Sequence, residues 1–133
     1  MNDMNEEVTS VDSSTYPFLA HATPRPGQLE MIQDGIKALD GGGFHLAAAP
    51  TGIGKTAASL AAALEVAGRS SQKKTVFFLT SRQTQHRIVV DTVRRINQRR
   101  QGMMPVRLVD MVGQAGMCVQ PFAKESPLSL IHI

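Results

Sequence analysis

The stretch Ala49-Pro50-Thr51-Gly52-Ile53-Gly54-Lys55-Thr56 decides how this chain is read. It follows Phe44 to Ala49, a short apolar run bounded by glycines and Pro50, and it leads into Thr56 to Ala67, an Ala-rich segment that is apolar almost all round and stops at Gly68. The first segment reads as a buried strand and the second as a helix. The turn between them matches the phosphate-binding pattern G-x-x-x-x-G-K-[ST], with Ala49 at the first glycine. Glycines at 52 and 54 let the backbone wrap a phosphate so that successive N–H groups point inward, and the helix N-terminus adds partial positive charge. Lys55 has the reach for β- and γ-phosphates, and the Thr56 hydroxyl is suited to Mg²⁺. An ordinary glycine-rich turn is the plain alternative. The strand, loop and helix junction favours nucleotide binding, with Pro50, Thr51, Gly52, Ile53, Gly54, Lys55 and Thr56 as the contacting residues.

Upstream, Leu29, Ile32, Ile36 and Leu39 recur at helical spacing, so the pattern predicts a helix over Gln28 to Asp40, with Pro26 at its start and Gly41-Gly42-Gly43 at its stop. Downstream, Thr75 to Leu79 is β-branched and aromatic and reads as a second buried strand. Arg82 to Arg100 then forms an amphipathic helix, with Ile88, Val89, Val93 and Ile96 inward and Arg87, Arg94, Arg95, Arg99 and Arg100 mostly outward. A third apolar run spans Val106 to Val112. Helices alternating with strands at these lengths predict an α/β fold, a parallel sheet with helices packed on it, and the small residues of the Ala-rich helix suggest close packing on that sheet.

At 133 residues and 42% apolar composition the chain fits one globular domain with a real core. No apolar run is long enough for a membrane span, and the acidic N-terminus does not suit a secretory signal. The single cysteine, Cys118, forms no internal disulfide, so a cytoplasmic protein is expected. Ten of the 14 Lys and Arg fall between Arg69 and Arg107 against one acid, Asp91. A basic middle suits a polyanionic partner, although arginine-rich solvated helix faces are common.

With the flanking residues added, the chain resembles a known family. Ala49 to Thr56 is similar to motif I of superfamily 2 helicases. Arg25-Pro26-Gly27-Gln28 resembles the adenine-reading segment of the XPD and DinG helicases. Leu79-Thr80-Ser81-Arg82-Gln83-Thr84-Gln85-His86-Arg87 resembles their motif Ia, most closely that of archaeal XPD-like proteins. Asp110-Met111-Val112-Gly113 leading to Met117-Cys118 is similar to the stretch that brings the family to its iron–sulfur domain. The resemblance covers about residues 16 to 122.

It implies a P-loop NTPase, RecA-like fold with helices on both faces of the sheet, here an incomplete first motor domain over 16–117. A flexible lead-in over 1–15 would precede it, a truncated start of the iron–sulfur domain would occupy 118–125, and 126–133 looks like a non-native tail. It further implies an ATP-dependent, 5'-3' DNA helicase as the intact parent, using ATP and Mg²⁺. Gln28 would pair with the adenine edge, an amide being able to donate to N7 and accept from N6. Arg25 would accompany it and Tyr16 would stack on the base. Thr80, Ser81, Arg82 and Gln85 would hold the backbone of single-stranded DNA without reading bases. Cys118 would be the first [4Fe–4S] ligand of the parent; one thiolate cannot hold a cluster that generally takes four, so the chain itself should bind none. A monomer without membrane association is expected. The chain shows no Asp-Glu-x-His segment and no second motor domain, so by itself it should not unwind DNA. Two other readings stand beside this one: a nucleotide or metabolite kinase built on the same loop, and a non-catalytic nucleic-acid-binding module that uses the basic stretch alone.

Overall fold

The structure, a computed structural model, describes residues 15–113. Three helices carry it: α1 (Gln28–Asp40), α2 (Lys55–Arg69) and α3 (Gln83–Arg99). Each lies where the apolar spacing predicts, α1 with the same bounds and the others within two residues, because 3.6-residue periodicity and terminating glycines are local signals.

Helix α2 is packed by both α1 and α3, more extensively by α1. Its buried side chains are Ala57, Ala58, Leu60, Ala61, Ala62 and Val66. Methyl groups on this face bring neighbouring backbones close, and α1 answers with Gly35, where an added Cβ would stand 3.1 Å from the Ala62 Cβ and 3.0 Å from His45 Nδ1. The Ala-rich surface is therefore spent on helix–helix contact. The segment before α1 runs across this seam. Tyr16 and Leu19 join Ile32, Ala58 and Ala61 in one buried cluster, while Ala20 joins Ala57 and Ile96 in another, with Phe18 against it. Leu60, Val89 and Val93 complete the α2–α3 contact.

The expected parallel sheet is not formed. Among the described residues there is no strand, and no backbone hydrogen bond joins the segments 44–49, 75–79 and 106–112 to one another. An α/β, RecA-like fold with helices on both faces of a sheet is thus corrected to three helices with irregular connections. Apolar and β-branched runs favour extended backbone, but a strand exists only where a neighbour completes its ladder. Here the last of these segments is tied to α3 by side chains instead. The Asn97 amide donates to Val106 O at 3.0 Å and its Oδ1 accepts from Val106 N at 2.8 Å, and His86 Nδ1 lies 2.6 Å from Asp110 Oδ1. The expectation that these runs are buried also fails: Phe44 is 100% exposed, Leu46 97%, Phe77 79% and Leu79 89%. Ile88 is corrected too, since it is exposed while Val89, Val93 and Ile96 are buried as expected.

The lead-in (residues 1–14), Met117, Cys118 and the tail 126–133 lie outside the described residues. No helix among those described is long and apolar enough to cross a membrane.

The core makes a direct prediction. Ile32, fully buried between α1, α2 and the Tyr16 segment, should cost about 2–5 kcal/mol when changed to Ala. Leu39, 39% exposed on the same helix, should cost less than about 1 kcal/mol. Urea unfolding followed by the helical circular-dichroism signal measures both, and equal losses would contradict this packing.

Candidate functional site

The Gly-rich loop enters α2 through Gly54, whose φ of 84° places it in the left-handed region as the residue before the helix. A Cβ there would also stand 2.7 Å from Gln28 Nε2, so the backbone conformation favours glycine and any larger residue would displace the Gln28 amide. That approach is used. Gln28, 1% exposed, donates from Nε2 to Gly54 O at 3.3 Å and accepts from Arg25 N at its Oε1 at 3.1 Å. The Arg25 guanidinium donates to Gly52 O. The 25–28 segment and the phosphate loop, about 25 residues apart, are therefore one hydrogen-bonded unit.

A cavity of about 390 Å³ opens beside this unit, lined by Thr51, Gly52, Gly54, Lys55 and Thr56 from the loop and by Arg25 and Gln28 opposite. Lys55 donates from Nζ to Ala49 O and Pro50 O, each at 2.9 Å, so its ammonium is held within its own loop. Pro50 and Ile53 do not line the cavity; the Ile53 side chain packs instead over Gly27. Tyr16 is placed away from it, its ring in the core and its hydroxyl accepting from Gln33 Nε2 at 3.1 Å. Thr80, Ser81, Arg82 and Gln85 form a separate surface turn at the start of α3, with Gln85 N donating to Arg82 O at 3.0 Å.

The remaining wall was not read from the sequence. It is made by His21, by Ala57 of α2 and by Ile88, Thr92 and Arg95 of α3. These three α3 residues share a helical face at spacings of four and three, which the sequence does contain. What it does not contain is the rotation that turns this face toward a loop thirty residues upstream. Burial, then the charges of Arg95, Arg25 and Arg99, holds the His21 imidazole below its ordinary pKa of 6.5.

The basic stretch is also more committed than its composition suggests. Arg94 and Arg87 pair with Asp91 at 3.1 and 3.8 Å. Arg99 donates to Leu19 O and to His21 O, the latter at 2.9 Å, and the Arg100 guanidinium lies 3.9 Å above the Phe18 ring. Much of the expected outward charge thus fastens the segment before α1 to α3.

Compared with known protein families, residues 21–106 match the model of the type III restriction enzyme, res subunit. That is well over half of the chain. The chain belongs to this family. It is accordingly helicase-like, of superfamily 2, among ATP- and Mg²⁺-dependent enzymes that act on nucleic acid. The match spans Arg25 to Gln28, the phosphate loop, and Thr80 to Gln85, and leaves out Tyr16 and Cys118. No curated protein and no solved structure matches the chain.

For a res-subunit family chain with His21 on the cavity wall, stability should carry a pH signature. The depressed folded-state pKa means that the unfolded chain takes up the proton first on acidification. The contribution of neutral His21 is complete above about 6.5 and is lost as the pH falls through the lowered folded value. Urea midpoints compared between the wild type and His21→Asn should therefore converge or cross as the pH is lowered from about 6.5 to that value, and change no further below it. A difference independent of pH would mean that neither burial nor these cations lowers the His21 pKa.

Proposed function

We propose that the chain is the ATP-binding portion of an XPD-like DNA helicase, holding ATP–Mg²⁺ in the loop cavity and gripping single-stranded DNA at the start of α3. The observation that carries the reading is the hydrogen-bonded union of the Arg25–Gln28 segment with the phosphate loop around one cavity, in a chain of helicase-like family. The XPD-like assignment rests on the order of the four sequence motifs.

In this reading Gly52 and Gly54 cradle the phosphates, Lys55 leaves the Ala49 and Pro50 carbonyls to meet them, and Thr56 adds one oxygen to a Mg²⁺ held mainly by the phosphates themselves. Gln28 keeps one N–H and one lone pair beyond those used on Gly54 and Arg25, which leaves an acceptor and a donor for the adenine edge. Base stacking is not assigned to Tyr16, whose ring is in the core. Thr80, Ser81, Arg82 and Gln85 present hydroxyls, backbone and a guanidinium to a DNA backbone from one exposed turn.

A [4Fe–4S] cluster does not fit the residues present. The chain has one cysteine where four thiolates are generally required.

The test is titration of the 133-residue chain with ATP and MgCl₂ by calorimetry, with and without an oligothymidylate. ATP should bind, Lys55→Ala should weaken it by at least about tenfold, and Arg82→Ala should weaken DNA while sparing ATP. ATP binding with no affinity for DNA would instead fit a kinase. DNA binding that falls with salt and is unaffected by Lys55→Ala would fit a nucleic-acid module. Either result would displace the helicase reading.

A further inference from the structure

The cavity wall carries a charge imbalance that the phosphate loop does not account for. Arg25, Lys55 and Arg95 all line it, and no Asp or Glu does. Two of these cations already hold neutral carbonyls, Arg25 that of Gly52 and Lys55 those of Ala49 and Pro50. Arg95 differs from its neighbours on α3. Arg87 and Arg94 share Asp91, Arg99 holds the carbonyls of Leu19 and His21, and Arg100 covers Phe18 and donates to Met104 O at 3.5 Å. Among the described residues Arg95 has no ion pair, yet it lies on the cavity face of the helix above Thr92 and Ile88. The Thr92 hydroxyl donates back to Ile88 O at 2.7 Å, which leaves the guanidinium as the polar group with which α3 meets a ligand.

We infer that Arg95 is a nucleotide-contacting residue that supplies a second, loop-independent cationic contact to the polyphosphate, so that the cavity favours nucleoside triphosphates over nucleotides with fewer phosphates. This rests on the reading of the cavity as a nucleotide site. A guanidinium meets phosphate oxygens through paired N–H donors, and its contribution grows with the charge of the chain it faces. An added polyanion also offsets the cations around His21, whose proton affinity is lowered first by burial and then by Arg95, Arg25 and Arg99.

The experiment uses the whole chain and compares its affinity for ATP, ADP and AMP, each with MgCl₂, among wild type, Arg95→Ala, Arg94→Ala and Lys55→Ala. Arg94→Ala removes the same charge from the same helix at a residue paired with Asp91 and absent from the cavity. Arg95→Ala should weaken ATP by about tenfold, ADP by less and AMP hardly at all, while Arg94→Ala stays within about twofold. Equal effects of the two arginine changes would reduce the role of Arg95 to general charge and overturn the inference. So would a loss for AMP as large as for ATP, since the contact would then not be with the polyphosphate. Indifference of ATP binding to Lys55→Ala is the separate result that removes the nucleotide site itself, and it is told apart by that variant alone. As an independent reading, the NMR titration of the His21 ring should move upward in pH both on ATP addition and in Arg95→Ala, but not in Arg94→Ala.

Discussion

The buried carboxamide of Gln28 is the constraint on which the site depends. A side chain 1% exposed takes its hydrogen bonds from within the protein, and here one lone pair and one N–H are used on the Arg25 N–H and the Gly54 carbonyl. Those two bonds fix where α1 begins relative to where α2 begins. Gly54 then has no room for a Cβ, Gly52 is drawn under the Arg25 guanidinium, and Ile53 closes over Gly27. A loop rich in glycine would otherwise have wide conformational freedom. The amide removes much of it from one side, and the close packing of α1 on α2 through Gly35 and Ala62 removes more from behind.

The arginines of α3 divide their work around this frame. One acid, Asp91, absorbs Arg87 and Arg94 on the outer surface. Arg99 and Arg100 reach back to the segment before α1, and their bonds hold Phe18, Leu19 and His21 against the helices. Arg95 remains on the cavity. The helix therefore links the Thr80–Arg82 turn at its start to the loop cavity along its side, without a carboxylate between them on that wall.

The helices were legible because their evidence is local. Leu29, Ile32 and Ile36 and the stop at Gly41 define α1 without reference to anything beyond it. The site was half legible for the same reason: the phosphate loop and Arg25-Pro26-Gly27-Gln28 are short contiguous patterns. The other half was not, because His21, Ile88, Thr92 and Arg95 are brought to the cavity by the rotation of α3, set by Val89, Val93 and Ile96 packing on distant residues. The sheet failed for a related reason. The composition of Phe44–Ala49 and Thr75–Leu79 expresses a preference for extended backbone, while pairing depends on which neighbour lies alongside. Asn97 shows the substitution in miniature, one side-chain amide taking both backbone groups of Val106 that a neighbouring strand would have used.

The outward rows of those extended segments bear on how the protein behaves at concentration. Phe44 and Leu46, then Phe77 and Leu79, then Val109 and Met111 alternate along the backbone with their side chains in water, beside peptide groups that have no ladder partner. Rows of this kind have the character of sheet edges, whose unpaired peptide groups are in general open to pairing with another chain. Lys73 and Lys74, both exposed, stand directly before Thr75 and put like charge at the start of the most aromatic of these segments. Two like charges at that point oppose the close approach of a second copy of the same segment.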